Sequence, residues 1–161
     1  MDGEYKSLSV SGKGHVWAVD VTDRIWWRKG SKKESPTGSG WKCIAGTLSK
    51  VCAGPAGVWG LDTKNQVMFR DGTQEDPDDT DGSGWSSVDG KFIAIAVGGG
   101  VVWGLGANRD FFYRYQMLSI SQLLSVINEC NFSDKIFSFC NSFSHLFSTG
   151  AELRKTPGLT G

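Results

Sequence analysis

Two tryptophans, Trp41 and Trp85, each follow a Gly-Ser-Gly segment and lie 44 residues apart. An indole at the end of a flexible polar loop can stack on the apolar face of a sugar while nearby polar groups bond the hydroxyls. Packing of the indole against a neighbouring element is an equal alternative. The spacing therefore indicates that Trp41 and Trp85 are either repeated carbohydrate-binding positions or repeated packing positions.

Three further candidates for ligand contact have polar side chains: Arg70, Asp62 and Asn65. Arg70 recurs in register as Arg28 and Arg114, and a guanidinium could donate two hydrogen bonds to a carboxylate or phosphate of a glycan. A structural pairing with a neighbouring element fits Arg70 at least as well. Asp62 and Asn65 fall in a turn between two apolar runs, where their side chains can bond local backbone N–H groups or the hydroxyls of a ligand.

One repeated segment must position these residues. The sequences VWAVDVTDRIWWRKG, VWGLDTKNQVMFRDG and VWGLGANRDFFYRYQ align without gaps from Val16, Val58 and Val102. Their first tryptophans are separated by 42 and 44 residues. Each copy is an extended apolar run, a turn and a second extended run. A Gly-rich and Trp-rich repeat of this length is typical of a β-propeller blade.

The repeats predict an all-β fold, an incomplete β-propeller of four-stranded blades. Each full blade would contain an inner strand, the VWG strand, a V-x-F-R strand and an outer strand that starts at the GSGW tryptophan. The predicted boundaries are two full repeats and a partial third at residues 1–46, 47–90 and 91–115. Trp17, Trp59 and Trp103 lie in the middle of apolar runs, so we expect them in the structural core between blades.

Residues 116–161 differ in composition from the repeats, because they are rich in Ser and Phe and contain no tryptophan. Apolar residues recur there at helical spacing and predict two amphipathic helices, about 117–129 and 134–147. A disordered tail is the alternative. This segment would therefore lie outside the propeller repeats.

Four cysteines are present, and none forms the C-x-x-C pair of a zinc site, so we predict no metal. Cys43 and Cys52 flank a turn at Ala45-Gly46 and could form a disulfide between adjacent strands. Two small buried thiols are the equal alternative, because the cysteine count does not discriminate between them.

The acidic loop from Glu75 to Asp81 does not match a calcium-binding loop, because Thr80 and Asp81 replace required residues. We expect it to be solvated. His15 and His145 are the only histidines, and no pattern pairs them with a nucleophile. The sequence therefore predicts neither a cofactor nor an enzyme.

The formal net charge is zero, which disfavours nucleic acid as a partner. No run approaches the length of a membrane span. The residues that follow Met1 show no charged and apolar regions of the kind found in a signal peptide.

The motifs G-x-V-W-G, N/D-x-x-I/V-x-x-R and S-P-T-G-S-G-W together make residues 1–115 resemble the tectonin-type β-propeller lectins, which include fish-egg lectins and a horseshoe-crab tachylectin. The resemblance implies a secreted lectin without catalytic activity. Its ligands would be N-acetylated sugars such as N-acetylglucosamine, or bacterial surface glycans such as lipopolysaccharide. Its role would be innate defence or egg protection.

Two alternatives remain at this point. Propellers of the same repeat also serve as intracellular protein-interaction platforms, and the missing signal peptide favours a cytoplasmic protein of that kind. The chain could instead be a truncated product without independent activity. Because propellers close with about four to eight blades, we also expect copies to associate to complete the ring, or the tail to cover an edge.

Overall fold

The structure is a computed structural model, and it describes residues 3–78, 80–115 and 154–155. These residues form three antiparallel sheets of four strands each. The predicted all-β fold of incomplete propeller blades is confirmed. The predicted helices at 117–129 and 134–147 lie outside the described residues.

Each sheet is one blade, and blades 1 and 2 are simple meanders. Blade 1 contains β1 to β4, at Tyr5–Val10, Val16–Asp20, Arg24–Lys29 and Gly40–Thr47. Blade 2 contains β5 to β8, at Lys50–Gly54, Gly57–Leu61, Gln66–Arg70 and Trp85–Lys91. Blade 3 contains β9 to β12, at Ala94–Gly98, Val101–Leu105, Phe111–Tyr115 and Arg154–Lys155.

The fourth strand of blade 3 was not predicted. β12 pairs with β11 through Phe112 with Lys155 and Tyr113 with Arg154. The composition of residues 116–161 predicts that they lie outside the blades, but residues 154–155 belong to the third sheet. A strand of two residues carries no period that a sequence pattern could reveal.

The turn between the second and third strands has one backbone conformation in all three blades. Asp23, Asn65 and Arg109 occupy equivalent positions with φ of 68°, 64° and 66°. Asp and Asn tolerate this left-handed region better than other side chains, while arginine adopts it less readily. The shared turn fixes the same register in each hairpin, so Trp17, Trp59 and Trp103 occupy the same place in their strands.

The blades pack in sequence through two apolar clusters. We call the face that carries Trp17, Trp59 or Trp103 the rear face of its blade, and the opposite face the front face. The first cluster joins blade 1 to blade 2, and its members are Trp17, Val19, Ile25, Trp27, Ile44, Leu48, Val51, Ala53 and Val58. The second joins blade 2 to blade 3, with Ala56, Trp59, Leu61, Val67, Phe69, Phe92 and Val102.

Hydrogen bonds reinforce the contact between blades 1 and 2 at the inner strands. The Ser7 hydroxyl accepts a bond from the Val51 N–H at 3.1 Å, and the Ser9 hydroxyl accepts one from the Ala53 N–H at 2.8 Å. These bonds satisfy backbone donors on the edge strand β5, which would otherwise be unpaired.

Position in the blade stack decides how deeply each strand is buried. All five residues of β6 are buried because blade 2 is covered on both faces. Trp17 and Trp59 are each 1% exposed, whereas Trp103 is 43% exposed. The expectation of a core position is therefore wrong for Trp103, because among the described residues no further blade packs on the rear face of blade 3.

Candidate functional site: the groove between blades 1 and 2

Trp85 lies at the outer rim of blade 2, half-buried against blade 1. Its ring meets Trp17 edge-on, with centroids 6.4 Å apart and planes at 80°. The bulge residue Gly46 of blade 1 has a φ of 108°, and a Cβ there would lie 3.1 Å from Trp85 Cδ1. Glycine at this position therefore lets β4 approach the indole closely, and we call the seam between blades 1 and 2 beside Trp85 the groove.

Arg70 forms the base of the groove. Its guanidinium lies over the Trp85 ring at 5.4 Å, and its Nε donates to the carbonyl of Asp81 at 2.7 Å. A second nitrogen donates to the carbonyl of Gly82 at 3.3 Å. Burial lowers the pKa of Arg70, and the carboxylates of Asp81 and Asp71 act in the opposite direction. Arg70 is buried and donates to two backbone carbonyls, so its position supports the structural pairing and not direct contact with a glycan.

A charged pair spans the groove beside this stack. Lys42 on β4 donates to Asp81 of blade 2, with Nζ 2.9 Å from both carboxylate oxygens. The Lys42 side chain is about half exposed, and Asp81 is less so. The groove therefore combines a half-buried indole with a cation and an anion contributed by two different blades.

Trp41 is the equivalent of Trp85 in blade 1, and it makes the same internal contact. The guanidinium of Arg28 lies over its ring at 5.4 Å. Because no blade covers the front face of blade 1 in the described part of the chain, Trp41 stacks instead on Tyr5, at 6.2 Å and 20°. Trp41 therefore has the indole and the arginine of the site but lacks the second wall.

Asp62 and Asn65 lie at the opposite end of β7 from Arg70, so the structure does not unite them with Trp85. Asp62 Oδ1 accepts bonds from the N–H groups of Lys64 and Gln66, both at 2.8 Å. Asn65 is exposed and closes the turn in the left-handed region. Both placements agree with the turn-forming role that the sequence offered as one alternative.

The Tectonin domain family model matches residues 1–137 of this chain, which is most of its length. The chain belongs to the tectonin family. The matched range extends beyond residue 115, where the sequence analysis ended the repeats. None of the curated proteins matches the chain.

The first tectonin repeat contains a buried carboxylate that the sequence analysis did not single out. Burial by itself would raise the pKa of Asp20, but bonds from the Trp26 indole, from Thr22 and from Arg24 outweigh it and hold the pKa well below its usual range. A shallow cavity of about 180 Å³ lies beside this network. Both Asp20 oxygens are engaged in this network.

The disulfide that the sequence allowed is not formed, because Cys43 and Cys52 are both free. Cys43 lies on the outer strand of the first tectonin repeat and Cys52 on the inner strand of the second, at opposite edges of their sheets. The Cys52 thiol contacts the Ile95 carbonyl oxygen at 3.2 Å, and burial raises its pKa. The short separation in sequence therefore gave no information about distance in space.

The acidic loop of the second repeat is not wholly solvated as predicted. Asp76 is buried, and its Oδ1 lies 2.7 Å from Nδ1 of the buried His15. Its Oδ2 accepts a bond from the Lys13 N–H at 2.9 Å. Asp76 also has a positive φ of 52°. The loop of blade 2 is thus attached to the first turn of blade 1, a contact between residues 61 positions apart that no local pattern could indicate.

Replacing Asp76 with alanine should lower the free energy of unfolding by about 1–3 kcal/mol, because the Lys13 N–H and the His15 ring would lose their acceptor in a buried place. Asp78 is the matched control. Its carboxylate is exposed and lies 3.5 Å from Lys13 Nζ, so Asp78→Ala should change stability by less than about 0.5 kcal/mol. Urea denaturation followed by circular dichroism measures both, and equal losses would contradict the assignment.

Two kinds of feature are absent from the described residues. They contain no cluster of three or more His, Cys, Asp or Glu side chains that could hold a metal ion. In the same ranges there is no helix with the length and apolar character of a membrane span.

Proposed function

We propose that this tectonin protein binds carbohydrate, either N-acetylated sugars or bacterial surface glycans, in the groove beside Trp85. The observation that carries the proposal is the combination of a half-buried indole held by Arg70 with a Lys42–Asp81 pair contributed by two blades. A sugar presents an apolar ring face and a rim of hydroxyls. The indole suits the face, and the charged pair can donate to and accept from the hydroxyls.

Preorganisation supports the same conclusion. Trp85 is held by Trp17, by Arg70 and by the close approach of Gly46, so its ring has little freedom left to lose on binding. A ligand held by one indole and one charged pair binds weakly at a single site. Repetition of the site would then raise the affinity for a glycan surface through avidity.

The neighbouring residues act in binding and not in catalysis in this proposal. Arg70 positions the indole and the Asp81 backbone, and Lys42 and Asp81 contact the ligand. Trp41 supplies the second rim indole, at the position equivalent to Trp85. Asp62 and Asn65, which the sequence also nominated, belong to the turn at the other end of the blade and have no part in the groove.

The test is titration calorimetry with N-acetylglucosamine oligomers, together with passage over immobilised N-acetylglucosamine and lipopolysaccharide. Replacing Trp85 with leucine should weaken binding about tenfold or more, because the stacking surface is lost while most of the volume remains. Trp85→Phe should retain part of the affinity. Lys42→Ala and Asp81→Asn should each weaken binding severalfold.

Trp26→Leu is the matched control, because Trp26 is also half-buried but bonds to Asp20 and lies under Arg24 instead of lining the groove. It should leave the affinity unchanged. Circular dichroism confirms that each variant is folded. Unaltered binding by a folded Trp85→Leu variant would exclude this groove, and a wild-type protein that binds none of these glycans would refute the function.

A further inference from the structure

The two ends of the blade stack expose apolar residues at positions that are buried or partly buried at the internal junctions. On the front face of blade 1, Leu8 is 66% exposed and Val10 is 54% exposed. On the rear face of blade 3, Trp103 is 43% exposed. Isolated exposed side chains need no explanation, but these belong to repeated positions whose other members are covered.

The front face of blade 1 has the same register as that of blade 2. Leu8 pairs with Ala18 and Val10 with Val16. In blade 2 the corresponding pairs are Val51 with Gly60 and Ala53 with Val58. Val51 and Ala53 are buried because the rear face of blade 1 packs on them. Leu8 and Val10 therefore form a surface shaped to receive the rear face of a blade.

The rear face of blade 3 is the complementary half. Trp103 pairs with Tyr113, as Trp17 pairs with Trp27 and Trp59 with Phe69. Trp17 and Trp59 are covered by the front face of the next blade. The chain therefore carries both halves of a junction that it already forms twice internally.

We propose that a second copy of this chain covers these faces, so that the rear face of blade 3 in each copy packs on the front face of blade 1 in the other. A contact between two different surfaces closes a ring when its rotation allows. With three blades in the described part of each copy, six blades in two copies is the only multiple within the usual range of about four to eight. A formal net charge of zero means that the copies do not repel each other.

The junction between copies should be weaker than the internal ones. Ser7 and Ser9 bond the inner strand of blade 2, and Lys50 donates to the Ile93 carbonyl of blade 3 at 2.7 Å. The equivalent positions on β9 are Ala94 and Ala96, which have no polar side-chain atoms. The dimer is therefore held by apolar packing and dissociates on dilution.

Association would also give Trp41 a second wall, although Thr37 stands there in the place of Asp81. Packing of blade 3 against blade 1 of the partner copy places Trp103 next to the partner's Trp41, as Trp17 lies next to Trp85. Trp41 then gains the wall that it lacks in a single chain. Only this step rests on the proposed carbohydrate function, since the packing argument does not depend on any ligand.

Sedimentation velocity of the full chain over a concentration series tests the assembly. The mass should rise from 17.5 kDa to twice that value. Leu8→Arg and Trp103→Arg should each weaken association at least tenfold. Each substitution places a charge on one of the two apolar faces that meet at both junctions between the copies. Ile93→Arg is the control, since Ile93 is an exposed apolar residue of the link between β8 and β9, and it should associate like the wild type.

Leu8→Ser and Trp103→Ser repeat the test with smaller changes if an arginine variant does not fold. A chain that stays monomeric throughout the series overturns the proposal. A dimer that is weakened by only one of the two substitutions also overturns it, because two copies that pair through the same face need only that face. Calorimetry separates the two proposals. Monomeric Leu8→Arg should still bind glycan beside Trp85, because that site needs only blades 1 and 2 of one chain. A dimer without glycan binding would refute only the function.

Discussion

Trp59→Ala should lower the free energy of unfolding by about 3–5 kcal/mol, the largest loss that we expect from one substitution in this protein. Trp59 is 1% exposed between blades 2 and 3. Its ring lies 4.7 Å from Phe69 and 5.8 Å from the Arg114 guanidinium, and its N–H donates to the Ala56 carbonyl at 2.8 Å. Truncation removes these contacts and leaves a cavity between two blades.

Trp103→Ala is the matched comparison, because Trp103 occupies the same position of the third repeat. Its partly exposed ring contacts Tyr113 at 5.4 Å, so the loss should be less than about 2 kcal/mol. Chemical denaturation followed by circular dichroism measures both values, at a protein concentration low enough to keep the chain monomeric. Equal losses would show that the rear face of blade 3 is covered as fully as that of blade 2.

Arg70→Met should lower the free energy of unfolding by about 1.5–3 kcal/mol, because methionine fills much of the space of the arginine stem but cannot replace the charged hydrogen bonds. The carbonyls of Asp81 and Gly82 lose their donor, and the Trp85 ring loses the guanidinium above it. We also expect the loop that ends at Asp81 to be cleaved faster in limited proteolysis, since Arg70 attaches it to β7.

Arg28→Met provides the control for this experiment. Arg28 makes one bond, from Nε to the Thr37 carbonyl at 2.6 Å, and it is only half-buried on the front face of blade 1. The loss should be less than about 1 kcal/mol. If Arg28→Met were as costly as Arg70→Met, burial by the preceding blade would not be the source of the stability that Arg70 contributes.

The candidate site was only partly predictable. Trp85 was nominated from the GSGW motif, and Arg70 from its recurrence in register. Lys42 was missed, because its partner Asp81 lies on another blade, 39 residues away. A sequence period describes what is equivalent between blades. It does not describe which side chains of different blades meet.

Asp62 illustrates the same limit from the other side. The sequence identified its turn correctly, since an aspartate that bonds the backbone two residues further along is a local interaction. It also grouped Asp62 with Arg70 as a candidate ligand contact, although β7 separates the two. The sequence therefore predicted the local hydrogen bonding of Asp62, but not the end of the blade at which Asp62 lies.

The sequence by itself determined the repeat, its four-stranded plan and the family, because strand alternation, turn residues and the spacing of tryptophans are local properties that one chain displays in order. Only the tertiary structure decided which of the equivalent residues are buried and which are exposed. Trp59 is buried and Trp103 is partly exposed because burial depends on what packs against a blade, and the three blades that the structure describes have two internal junctions and two outer faces.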